Sequence, residues 1–220
     1  SDVCSSDLPR GGAAPNGAVP PPRPPGYHRP MALGSLPFTG DAEADALLAR
    51  EPLALVIGFI LDQRITVPKA FSAGRALVLR MGRLDAALIA STPLPELEAI
   101  FSAKPALHRF PRVMAKRVQG MCAIVVERHG GDARRIWGEA ADAGDLERRL
   151  CALPGISPFK ARSIIGILGR RLDVRPAGWE DHLPDEPSMA DVVSPETLRG
   201  YQLGTLAMER PPTGRGPVGS

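Results

Sequence analysis

Apolar residues recur three and four positions apart from Ala42 to Leu172, and no stretch alternates apolar with polar residues over the length of a strand. That period marks helices with one buried face, so the chain is expected to be all-α. The pattern predicts helices over Ala42 to Arg50, Pro52 to Gln63, Pro68 to Met81, Leu84 to Ala90, Leu94 to Ala103, Pro111 to His129, Ala133 to Trp137, Asp142 to Leu153 and Pro158 to Leu172. In the last of these, Ala161, Ile164, Ile165, Leu168 and Leu172 share one face, which leaves Lys160, Arg162 and Arg170 on the rest of the surface. No internal repeat of fixed period is present.

The last two helices are joined by "LPGISPFKARS", residues 153–163. Pro154 and Gly155 suit a sharp bend. Ser157 followed by Pro158 suits a helix start, because Ser caps free amides and Pro fits the first helical position. The segment therefore reads as helix, tight hairpin, helix. Such a hairpin turns unpaired backbone N–H groups outward at a helix N-terminus, where an anion is favoured. On this stretch alone, a phosphate site and a plain helix connection both fit.

The ends differ from the middle. Residues 1–30, with "VPPPRPPG" at 19–26, are rich in Pro and Gly, lack an apolar period and are expected to be disordered and non-native, Met31 opening an ordinary start. The tail at 211–220 is expected to be disordered for the same reason. One domain is expected over residues 31–210.

Composition narrows this picture. With 220 residues, 44% of them hydrophobic, the chain can bury one good core. A net charge of +3 and a pI near 9.0 permit contact with nucleic acid without requiring it. Cys4, Cys122 and Cys151 stand far apart, which argues against a zinc site or a disulfide framework and for reduced thiols in a cytoplasmic protein. The most apolar run, "LALVIGFIL" at 53–61, is too short to span a membrane, and no secretory signal is visible, so no membrane partner is expected.

Three segments, taken in order, carry a family resemblance: "PLALVIGFILDQRITVPKAF" at 52–71, "FPRVMAKRVQGMCAIVVERHGGD" at 110–132, and "LERRLCALPGISPFKARSIIGILG" at 146–169. Over roughly Leu36 to Trp179 the chain resembles the HhH-GPD superfamily of base-excision DNA glycosylases, which includes the endonuclease III and 3-methyladenine glycosylase types. The resemblance is closest to a compact subgroup without a metal cluster. It implies two helical lobes, a DNA-facing cleft between them, and a helix-hairpin-helix over about 146–172 at the mouth of that cleft.

The resemblance also implies roles. Gln63 sits where the family has a polar wedge that fills the gap left by a flipped nucleotide; local sequence by itself favours an ordinary amide capping the C-terminus of a helix. Backbone groups of Gly155, Ile156 and Ser157 would hold a phosphate, and a potassium or sodium ion is implied at the carbonyls of Leu153 and Gly155. Ser157 stands where the family usually has Gly, at a cost of about 1 kcal/mol if that residue must be left-handed. Phe159 occupies the position of the lysine that attacks the sugar in strand-cutting members, so no lyase activity is expected. Lys160, about 100° round the helix, should face elsewhere and meet phosphate or water.

Asp181 is the expected transition-state carboxylate, with Glu180 the second choice and His182 a polar neighbour. Lys116, Arg117, Lys160 and Arg162, with Arg109, Arg112, Arg170 and Arg171, would form a phosphate track. Trp179 is a candidate for stacking on a flipped base, whereas Trp137 reads as core. No cysteine follows Cys151, so no iron–sulfur cluster and no other cofactor is expected. Together these imply a monomeric, monofunctional DNA N-glycosylase acting on duplex DNA that carries a damaged or mispaired base. Two alternatives stand beside it: a helix-hairpin-helix DNA-binding module that has lost the catalytic acid, and an all-α interaction protein without a nucleic-acid role.

Overall fold

A computed structural model describes residues 34–206; the N-terminal segment 1–30 and the tail 211–220 discussed above lie outside the described residues. The described chain is all-α. It forms α1 (Ala42–Arg50), α2 (Pro52–Leu61), α3 (Val67–Phe71), α4 (Ala73–Met81), α5 (Ala86–Ser91), α6 (Leu94–Ser102), α7 (Pro111–His129), α8 (Arg135–Gly138), α9 (Ala143–Cys151), α10 (Pro158–Arg171) and α11 (Pro195–Leu203), with 3₁₀ turns at Trp179–His182 and Met189–Asp191.

Helix α2 is buried along its whole length, as expected of a segment that is apolar on every face. Helices α1, α3 and α4 pack around it, α5 and α6 lie on α7, and α9 and α10 lie together with both 3₁₀ turns against α10. A single apolar cluster joins all of these, from Leu36 and Phe38 through Phe59 and Phe71 to Ile164, Ile165 and Leu168. Close packing explains Gly58: a Cβ there would stand 2.4 Å from Phe71 Cδ1.

Several element boundaries differ from the periodic pattern. Helix α2 ends at Leu61 rather than Gln63 because Asp62, at ψ 69, leaves the helical region and Arg64 turns to φ 58. The segment expected as one helix from Pro68 to Met81 is two, broken at Ser72, whose Oγ donates to Pro68 O at 2.7 Å and competes with the helix ladder. The turns after α10 and helix α11 were not expected. Helix α11 carries its own start signal, a Ser194–Thr197 capping box with Pro195 at the first position.

Candidate nucleic-acid interface

Helix α9, the hairpin at residues 152–157 and α10 form a helix-hairpin-helix. Gly155 makes the bend at φ +89, and the Ile156 N–H donates to Leu153 O at 3.2 Å. Among the described residues the amides of Gly155 and Ser157, both exposed residues, have no protein acceptor, so two of the three expected phosphate-binding amides are uncommitted while that of Ile156 is engaged. The Leu153 carbonyl, one of the two implied cation ligands, is the acceptor of that internal bond. Ser157 sits at φ −82, ψ 165, so the left-handed strain anticipated for it does not arise; its hydroxyl accepts from the Lys160 N–H at 3.4 Å and caps α10.

Gln63 lies across from the hairpin. Its Nε2 donates to Ile60 O at 2.8 Å, so the side chain caps the end of α2. Arg117 of α7 donates from Nη1 to Gln63 Oε1 at 2.9 Å, and the arginine stem lies over the bend, its Cδ 2.9 Å from where a Cβ on Gly155 would stand. His108 meets the Gln63 backbone, Nε2 to carbonyl O at 2.8 Å. Gln63, Arg117, Gly155, Ile156, Ser157 and Lys160 line one open cleft of about 430 Å³.

Lys160 does face away from Phe159, but it does not reach out to solvent as an exposed lysine. Its Nζ donates to Phe59 O and, at 3.0 Å, to Asp62 O, which satisfies two carbonyls at the C-terminus of α2 and fastens α10 to it. Burial, with Arg117 nearby, holds this ammonium below the ordinary lysine range, and Asp62 offsets part of that. Burial in turn pushes the Asp62 carboxyl up, with Lys160 opposing. Tyr201 of α11 is also raised, by burial and then by Asp62 and Asp191.

The basic residues divide into two groups. Lys116 is exposed and Arg117 reaches the cleft, whereas Arg162 is committed to Glu147 (Nε to Oε1, 3.1 Å) and Arg170 to Asp191 (2.5 Å). The α10 half of the anticipated track is thus partly neutralised by internal partners, and Arg112 stands 3.8 Å from Glu98. At the start of α7, Phe110 is 42% exposed with the Arg109 guanidinium 4.9 Å above its ring, beside His108. Phe159 is 40% exposed at the first turn of α10.

Asp181 and Glu180 lie in the 3₁₀ turn that packs on α9 and α10. Both are exposed, and neither is among the residues that line the cleft. Trp179 packs over Gly169, where a Cβ would meet its Cε3 at 2.2 Å, and Trp137 is buried as expected.

No protein-family model matches the chain, and no curated protein matches it. Among solved structures it is similar to a trapped endonuclease III–DNA covalent intermediate, at 19% identity and a TM-score of 0.41, over 54% of this chain and 48% of that one. It is also similar to a thermostable thymine-DNA glycosylase, at 14% identity and a TM-score of 0.38, over 71% of this chain and 72% of that one. The first alignment spans about half the length of the endonuclease III chain.

Sequence reasoning missed four groups near these elements: His108, Asp62, Phe110 and Glu147. Asp62 had a local signal, since it ends the most apolar run in the chain and directly precedes Gln63. His108 and Glu147 had none, because their partners are 45 and 35 residues away.

Proposed function

We propose that this protein binds duplex DNA at the Gln63–Arg117–hairpin cleft and, as a monomer, hydrolyses the N-glycosidic bond of a damaged or mispaired base flipped out of the helix. The observation that carries this reading is the convergence of two unpaired hairpin amides, at Gly155 and Ser157, with the Arg117 guanidinium beside Gln63. Paired amides and a guanidinium suit a phosphate, and such contacts position a duplex without reading its sequence.

In this reading the phosphate beside the lesion sits on the hairpin, with a monovalent cation able to share the Gly155 carbonyl, and Lys116 and Arg117 add charge on α7. Lys160 contributes its field from the floor of the cleft. Gln63 fills the gap in the duplex by giving up its bond to Ile60 O. Exposed Phe110 and Phe159 supply apolar surface for unstacked bases. A phenyl side chain at position 159 offers no amine there, so base loss leaves an intact strand with an abasic site. Asp181 stabilises positive charge on the sugar.

One observation favours a second reading, a binding module without turnover: Asp181 and Glu180 are exposed, and neither accepts a hydrogen bond from another described residue. Single-turnover incubation with end-labelled duplexes, each bearing one lesion, separates the two. Strand breaks seen only after hot alkali support a monofunctional glycosylase. Salt-sensitive binding with no product from any lesion supports the module.

A further inference from the structure

Two hydrogen bonds fix which way round the Gln63 amide lies. Oε1 accepts from Arg117 Nη1 at 2.9 Å, and Nε2 donates to Ile60 O at 2.8 Å. A guanidinium only donates and a backbone carbonyl only accepts, so an exchanged amide would set N–H against N–H at one end and oxygen against oxygen at the other. Both neighbours therefore select the same orientation. The carbonyl end is spent on Arg117, and Nε2 keeps a second hydrogen with no acceptor among the described residues.

The backbone behind this side chain is held in place. Buried His108 accepts the Phe110 N–H on Nδ1 at 3.0 Å, so its Nε2 carries the hydrogen and donates to Gln63 O at 2.8 Å. Arg117 lays its stem over the bend at Gly155 and spends one donor on Gln63, while its other N–H groups have no acceptor among the described residues. Gln63 and Arg117 both line the open cleft beside the hairpin. The Gln63 side chain can thus leave Ile60 O and swing into that cleft on its bond to Arg117. Whatever it meets there faces N–H and not the amide carbonyl.

We propose that Arg117 makes Gln63 a donor-only wedge, so that the base left opposite a flipped nucleotide is selected for an acceptor at the middle of its pairing edge. This rests on the DNA reading above and concerns the base across from the lesion, not the lesion itself. Adenine N1 and cytosine N3 are acceptors at that point and complete a hydrogen bond with Nε2. Guanine N1–H and thymine N3–H are donors and oppose it, which leaves two N–H groups unpaired in the gap. Arg117 is a positioning residue here, since it touches the wedge and not the base. A glutamine free to turn over would offer either end of its amide and discriminate little.

The test is competitive binding of the full chain, at one salt concentration, to duplexes that carry a tetrahydrofuran abasic analogue opposite adenine, cytosine, guanine or thymine. The wild type should hold the adenine and cytosine duplexes about five- to tenfold tighter than the guanine and thymine duplexes. That division cuts across purine and pyrimidine, so base size and stacking do not imitate it. In Arg117→Ala all four affinities should fall with the lost phosphate contact, and the preference should collapse because the amide can turn over. Loss of the phosphate contact alone would weaken all four alike and leave the preference intact. Gln63→Leu, which keeps Arg117 and the hairpin, should lose the preference as well. Four equal wild-type affinities, a preference for guanine or thymine, or a preference that survives in Arg117→Ala would overturn the proposal and leave the DNA reading standing. If the wild type binds none of the duplexes, the DNA reading falls and the proposal with it.

Discussion

Arg117 and Gln63 are 54 residues apart in the chain and joined by a 2.9 Å hydrogen bond, Nη1 to Oε1, directly above the bend at Gly155. The bond brings the end of α2, the middle of α7 and the hairpin to one point. A guanidinium held this way would lose little further freedom on meeting a phosphate, which is what the proposed DNA contact asks of it.

The hairpin bend admits little else than glycine. Gly155→Ala places a Cβ at φ +89 and 2.9 Å from Arg117 Cδ. We expect a loss of about 1–2 kcal/mol of stability from the backbone alone, measured by urea denaturation, and weaker duplex binding because Arg117 must move.

Lys160 is expected to act as a strut. Lys160→Met removes the two hydrogen bonds to Phe59 O and Asp62 O but keeps the apolar stem. Bonds from a charged donor are worth about 1.5–3 kcal/mol, so thermal denaturation should show a clear fall in Tm. Lys160→Arg, whose fork does not match two carbonyls of one helix end, should recover only part of it.

Stability should fall on mild acidification. Burial holds both His108 and His129 below the usual imidazole range, and His129 Nδ1 stands 3.6 Å from Glu139, too far for a hydrogen bond. Below about pH 6.5 the unfolded chain binds protons that the folded chain refuses, so stability is full above that pH and declines beneath it. Urea midpoints from pH 7.5 down to 5.5 should decrease in the wild type and decrease less in His129→Gln.

Trp179 should prove to be a packing residue at its inner edge. Gly169→Ala drives a Cβ to within 2.2 Å of its ring. That overpacking should cost about 1–3 kcal/mol, read by denaturation, with a change in Trp179 fluorescence.

Much of this fold was legible in the sequence. The period of apolar residues placed α1, α7 and α10 closely because each buries one face and carries a start or stop signal: Asp41 at α1, Gly130 after α7, Ser157 and Pro158 at α10. Helix α11 escaped because it buries only Leu198 and so shows no stripe. In the site, Gly155 and Ser157 were legible from turn chemistry, since their role is local. The burial of Lys160 was not, because it depends on carbonyls about 100 residues away. The pairing of Arg162 and Arg170 with Glu147 and Asp191 was hidden for the same reason: composition counts charges but does not say which are already neutralised.

The most direct test of the interface is the salt dependence of duplex binding for the wild type and Arg117→Ala. The dissociation constant is measured across a range of salt at fixed pH. If Arg117 meets a phosphate beside the hairpin, affinity falls steeply with salt in the wild type, and the slope of log K against log salt is shallower by about 1 in the variant. Equal slopes for the two proteins, or wild-type binding that does not respond to salt, would contradict a phosphate site at this hairpin.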